Sequence, residues 1–131
     1  MKKDIIAVSF VVILITSVFC GCQSSKVKED YKAIFESDVV NLMNYTVMTK
    51  KNKTDIVEVD ISGRIQLKVD RNISIIKITA DLYDENNDYL GNSSFKISGL
   101  FIGYSTTFSI VYKKENVYKL DHIKLRAEEI T

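Results

Sequence analysis

Few side chains in this chain are of types that do chemistry, and their spacing limits what they can do. His122 is the single histidine. With no second histidine beside it and no Cys pair in metal-ligand spacing, it is a poor metal ligand, and on a terminal strand with Ile123 and Leu125 it reads as an exposed strand residue. A hydrolase needs a nucleophile, a base and an orienting group brought together. Here the serines lack elbow glycines and His122 has no assignable serine, so no catalytic residues are expected. Asp84, Asn86 and Asp88 have the Asp-x-Asn-x-Asp spacing that opens a calcium loop. Tyr89 stands where the sharp turn needs glycine, and Phe95 where a bidentate glutamate would close the site. A hairpin turn accounts for the same residues, with weak calcium binding as the alternative.

The remaining reactive groups are two thiols near the N-terminus. Met1–Asp4 carries two lysines, and Ile5–Phe19 is an uninterrupted run of 15 apolar and small hydroxyl residues. That length suits the core of an export signal and is short of the roughly 20 residues of a bilayer span. Val18-Phe19-Cys20-Gly21-Cys22 follows, and a small residue directly before a cysteine after an apolar run resembles the lipobox of bacterial lipoproteins. That resemblance implies cleavage of residues 1–21 as a signal peptide and a covalent diacylglycerol lipid, with a palmitate-type acyl chain, on the new N-terminal cysteine. Cys20 follows the bulky Phe19 while Cys22 follows Gly21, so Cys22 is the better acceptor. Cleavage without lipid and a retained membrane anchor are the other readings. Two acyl chains hold a protein at a membrane stably, because each buried methylene contributes ~0.8 kcal/mol. With Cys20 removed and Cys22 acylated, the mature domain has no thiol for a disulfide or a nucleophile.

The 131 residues, 46% hydrophobic and 27% charged, are ordinary for one globular domain. From Gln23 onward there are 16 basic and 16 acidic side chains. Such neutrality argues against a nucleic-acid partner, whose binding rests on clustered Lys and Arg.

Residues 22–43 read as a lipid-anchored tether followed by a short amphipathic helix. Gln23–Lys28 is polar and small, and Val27, Tyr31, Ile34 and Phe35 recur at near-helical spacing up to Ser37. From about Asn44 the pattern turns to strands. Val57, Val59, Ile61, Gly63, Ile65, Leu67 and Val69 hold the odd positions and polar residues the even ones, which predicts a long antiparallel strand with one wet face. Ile76, Ile78, Ala80 and Leu82 alternate in the same way and predict a central strand over Ile75–Asp84. Tyr89–Ser98, Ser105–Tyr112 and Val117–Ala127 complete six to seven strands, so residues 44–131 are expected to form an all-β, immunoglobulin-like antiparallel β-sandwich.

Ile61-Ser-Gly63-Arg-Ile65, Leu82-Tyr83-Asp84, Gly91 and Thr107-Phe108-Ser109-Ile110 together resemble the FxLYD domain, an immunoglobulin-like module of secreted and lipid-anchored bacterial proteins. The chain differs from that family's pattern at Leu67, where Asn is usual, and at Ile102-Gly103, where Pro-Gly is usual. The resemblance spans about Val57–Ala127 and implies a non-catalytic surface domain without cofactor.

Ser98–Tyr104 is an apolar loop between two glycines. Leu100, Phe101 and Ile102 are either tucked over the end of the sandwich or presented to a partner or the nearby membrane. The expectation is a lipoprotein on the extracellular face of a bacterial cell membrane. It would meet a cell-envelope protein through Leu100, Phe101, Ile102 and Tyr104. A calcium- or small-ligand-binding lipoprotein and a structural spacer are the alternatives.

Overall fold

The computed structural model describes residues 26–130. Eight strands fill them: β1 (Val27–Glu29), β2 (Lys32–Glu36), β3 (Val40–Asn52), β4 (Asp55–Leu67), β5 (Ile73–Tyr83), β6 (Tyr89–Leu100), β7 (Ser105–Tyr112) and β8 (His122–Glu129). One sheet has the order β1-β3-β4-β7 and the other β2-β8-β5-β6. The chain is the all-β, immunoglobulin-like sandwich expected of it. β4 and β7 pair in one sheet, β5 and β8 in the other, and the connections between them pass from sheet to sheet.

The alternation read in the sequence decides what lies between the sheets. Val59, Ile61 and Ile65 of β4 meet Ile76, Ile78, Ala80 and Leu82 of β5, all fully buried. Each of these Val, Ile and Leu side chains contributes roughly 1.5–3 kcal/mol on leaving water, and Ala80 less. The long strand departs from the expected pattern at one end. Lys50 is opposite Glu58 while Lys51 is opposite Ile56, so Val57 is the extra residue of a bulge. Val57 is therefore 39% exposed and Ile56 turns toward the core in its place.

The amphipathic helix expected over Val27–Ser37 is not there. This segment forms β1 and β2, and the sandwich thereby takes in residues set apart as tether and helix. β1 pairs antiparallel with β3, and β2 pairs parallel with β8, from Lys32 opposite His122 to Glu36 opposite Arg126. Tyr31, Ala33 and Phe35 turn inward while Lys32, Ile34 and Glu36 turn out. Both periodicities are present in these residues. A helix this short is marginal alone, whereas the free backbone edges of β3 and β8 pair the segment along one side and bury its inward residues.

The final strand begins later than its hydrophobic pattern indicated. A 3₁₀ turn over Glu115–Lys119 buries Val117, and β8 starts at His122. Asn116 fixes that turn: its Nδ2 donates to the Leu90 carbonyl at 2.8 Å and its Oδ1 accepts from the Tyr112 hydroxyl at 2.8 Å.

Gly63 is where three strands of the first sheet crowd together. It lies opposite Tyr45 of β3 and Phe108 of β7. A Cβ there would stand 2.9 Å from the Phe108 ring and closer still to the Asn44 carbonyl oxygen, which is backbone and does not yield. Gly63→Ala is expected to cost about 2–3 kcal/mol by overpacking, read from urea unfolding. A change no larger than that of an ordinary surface substitution would show the contact to be slack.

On the outer side of the same sheet Glu58 is nearly buried and is paired with Lys26 at 3.6 Å and Lys113 at 3.3 Å. Burial raises its pKa, but hydrogen bonding with Asp60 and Lys113, then the attraction of Lys113 and Lys26, outweigh burial and hold it below the ordinary value. A depressed folded-state pKa gives stability that is full above the unfolded value and lost as pH falls through the folded one. As pH falls below the ordinary carboxylate range, the melting temperature should therefore drop more steeply for the native chain than for Glu58→Gln. Parallel curves would show the pairing to contribute nothing.

Candidate interaction site

The apolar loop lies where β6 leaves its sheet and β7 enters the other. Leu100 is still part of β6, opposite Ile73, and is only 2% exposed. It belongs to the core and does not line an interaction surface: β6 runs two residues past the expected end at Ser98, and at Gly99, φ 76°, the alternation breaks so that Leu100 is buried. Phe101, Ile102 and Tyr104 are 53%, 50% and 70% exposed. They form a tight turn closed by the Tyr104 N–H donating to the Phe101 carbonyl at 3.2 Å, with Gly103 at φ 84°. That angle favours glycine, and Gly103 lets the turn close in two central residues.

Two braces hold the turn. The Ile102 N–H donates to Oδ1 of Asn72 at 3.0 Å, tying it to the β4–β5 connection. Arg64 Nη1 donates to the Ser105 hydroxyl at 2.7 Å, tying the start of β7 to β4. At the same end of the sandwich, Arg71 forms a two-pronged pair with Glu129 at 2.6 and 2.7 Å. The bonds from Arg71, then its charge, hold Glu129 below the ordinary carboxylate value despite some desolvation. The result is three large side chains projecting from a rigid turn over a buried floor of Ile73 and Leu100. Rigid, exposed aromatic and aliphatic anchors of this kind are what a partner's pocket can bury at little ordering cost.

Asp84, Asn86 and Asp88 lie at the opposite end, in the β5–β6 turn. Asp84 Oδ1 accepts from the backbone N–H groups of Asn86 and Asp88, both at 2.9 Å, and Asn87 holds φ 65°. The carboxylate is thus committed to shaping its own turn. Among the described residues no group of three or more His, Cys, Asp or Glu is placed to hold a metal ion. A shallow cleft of about 510 Å³ beside this turn is lined by Asp84, Tyr118, Lys119 and Asp121 among others, and no buried nucleophile or base faces it.

His122 is only half exposed. Its ring stacks on Tyr83, with centroids 5.3 Å apart and planes 9° apart. Its Nδ1 and Nε2 lie 2.9 Å from Asp121 Oδ2 and Asn87 Oδ1. Tyr89 meets Tyr83 edge-on at 5.7 Å. Sequence patterning found the strands but not this cluster, which exists only because Tyr83 is opposite both His122 and Tyr89 across two strand pairs. Cys22, Cys20 and the segment read as signal peptide lie outside the described residues.

The chain matches no known family model, no curated protein and no solved structure.

With Asp84 already accepting two backbone hydrogen bonds, millimolar calcium should leave the melting temperature unchanged. A ligand that binds only the folded state must raise it by mass action, so a calcium-dependent rise would overturn this reading of the turn.

Proposed function

We propose that this chain is a non-catalytic, FxLYD-like lipoprotein, held by a diacylated Cys22 at the outer face of a bacterial cell membrane, that captures an envelope protein with Phe101, Ile102 and Tyr104. The observation that carries this reading is the trio of exposed large side chains on a turn braced by Asn72 and Arg64. Flexible apolar residues would collapse onto the domain. With the turn's backbone tied down, Ile102 and Tyr104 stay exposed, the Phe101 ring lies back over Gly99 while still half exposed, and Leu100 turns into the core.

The position of the anchor supports a protein partner over the membrane itself. Val27 is opposite Thr49, so the chain enters the fold beside the end of β3, at the end that carries the β3–β4 and β5–β6 turns. The Phe101–Tyr104 turn lies at the other end, beside the start of β5 and the end of β4. The 13 residues of β4 run from one end toward the other, some 40 Å at ~3.3 Å per residue. Cys22 is four residues before Lys26, a reach of at most ~14 Å. A domain anchored there presents the apolar turn away from its own membrane.

The family reading is supported by the way its motif positions meet in space: Gly63 lies opposite Phe108, and Leu82 opposite Gly91. His122 is engaged at both ring nitrogens, by Asp121 and Asn87.

Photocrosslinking from native cells tests the proposal, with a probe at Ile102, a second at Asn86 on the opposite end, and a Cys22→Ala chain alongside. A partner captured from Ile102 alone, and lost with Cys22→Ala, is the expected result. Phe101→Ser with Ile102→Ser should abolish capture while leaving the stability within about 1 kcal/mol, as surface changes do. Capture that survives the double substitution, or equal capture from both probes, would sink the assignment.

A further inference from the structure

Four strands lie at sheet edges, and three of them leave little open. β6 and β7 edge the two sheets on one side and close on each other, with Ser93 Oγ of β6 donating to the Val111 carbonyl of β7 at 2.8 Å. β1 is three residues long. β2 is different. It pairs with β8 in unbroken register from Lys32 to Glu36, and among the described residues no strand pairs with its far side. Its outward N–H and C=O groups are a template for a further strand. The devices that blunt such an edge, a proline or a bulge, are missing from it: the chain has no proline, and the β2–β8 register has no shift.

The surroundings of this edge are apolar. β1 lies opposite only Val47, Met48 and Thr49 of β3, so residues 40–45 of β3 stand uncovered on the same side of the sandwich. The Tyr45 hydroxyl reaches across from there and donates to the Tyr31 carbonyl at 3.4 Å. Ile34, Met43 and Tyr45 are exposed, and Ala33 and Phe35 are only partly buried although they turn inward. The edge is also fixed. Ser37 Oγ donates to the Ala127 carbonyl at 2.8 Å and accepts from the N–H groups of Val39 and Val40 at 3.2 Å, which ties down the corner where β2 ends.

The order of the charges selects the occupant. β2 reads Lys32-Ala33-Ile34-Phe35-Glu36, with opposite charges at equal distances on either side of Ile34. Lys32, Ile34 and Glu36 share the outer face. Glu36 lies 3.4 Å from Lys124 of its own chain, yet most of its side chain stays in water. Two copies laid antiparallel about Ile34 put Lys32 of each opposite Glu36 of the other, with the two Ile34 side chains together between the ion pairs. A parallel pairing would set Lys32 on Lys32 and Glu36 on Glu36, which repels. We infer that β2 is a self-pairing edge, through which two copies of this chain join antiparallel with Ile34 at the two-fold axis. The sheets β2-β8-β5-β6 of the two copies then run on as one sheet of eight strands, and the added strand covers Ala33 and Phe35. The pairing depends neither on lipid at Cys22 nor on the Phe101–Tyr104 turn.

A contact of five residues a side is small, so the test traps the pair covalently. The full chain is used in detergent with Cys20→Ser and Cys22→Ser, which leaves an introduced thiol alone. Under a mild oxidant Ile34→Cys should form a disulfide-linked dimer, since directly opposite positions bring their Cβ atoms within reach of that bond. Lys124→Cys should not: position 124 lies one strand in from Ile34, about 14 Å from its copy across three strand spacings. Adding Lys32→Glu or Glu36→Lys to the Ile34→Cys chain should lower the dimer yield about tenfold, because two-fold symmetry repeats each change at both ends of the seam. Mixing the two reversed chains should restore the yield, each then meeting its opposite, and that recovery also shows both chains to be folded. No link at Ile34→Cys would leave the edge to a strand of another protein and overturn the self-pairing. Equal linking at Lys124→Cys, or a yield indifferent to the charge reversals, would mark chance collision and overturn it as well.

Discussion

The close approach at Gly63 is the constraint on which the first sheet depends. The Asn44 carbonyl and the Phe108 ring both occupy the space a side chain would take. Three strands can therefore lie together at the middle of β4 with a single ring over the gap. Gly91 does the same for the other sheet. At φ 151° and with the Tyr112 hydroxyl against it, it lets that side chain cross from β7 to reach Leu90 and Asn116. Each glycine admits an aromatic ring from β7. The two sheets are thus keyed to one strand, and that strand is the one that follows the apolar turn.

How much of this was legible depends on whether a feature is set within one strand or between strands. The alternation of β4 and β5 is self-contained, since a one-residue slip would bury charged side chains, and so it reads directly from the sequence. Val57 shows the limit: its bulge arises from how β3 and β4 close their hairpin, and the odd-position rule carries no trace of it. Val27–Ser37 is ambiguous in principle. Its apolar residues satisfy a helical stripe and an extended face alike, and the choice is made by the open edges of β3 and β8. Leu100 differs from Phe101 and Ile102 only in its register with Ile73, so composition marks the three as equivalent and pairing separates them. The stack of His122 on Tyr83 requires residues 39 positions apart in the chain to be cross-strand neighbours, a relation that no local pattern contains.

The two ends of the sandwich come out chemically distinct. One bears charged turns and the point where the chain enters, and the other bears a short apolar turn over a buried floor. Between them the outer faces mix exposed apolar side chains, such as Ile34, Met43 and Val111, with pairs such as Arg126 and Asp81 at 2.9 Å. A domain whose two ends differ in this way is suited to work lengthwise, as a short rod between an attachment and a contact.

β1 and β2 give that rod a mechanical property. The N-terminal segment runs along β3 of one sheet and then along β8 of the other, in each case parallel or antiparallel to the strand axis. Tension applied between the chain's entry point and the far turn would act along these strands, not across them. The hydrogen bonds of β1 and β2 would then be loaded together in shear, and none could be peeled off singly from the end. A segment that looks like a peripheral addition to the sandwich is therefore the part that decides how large a pull the domain withstands before it opens.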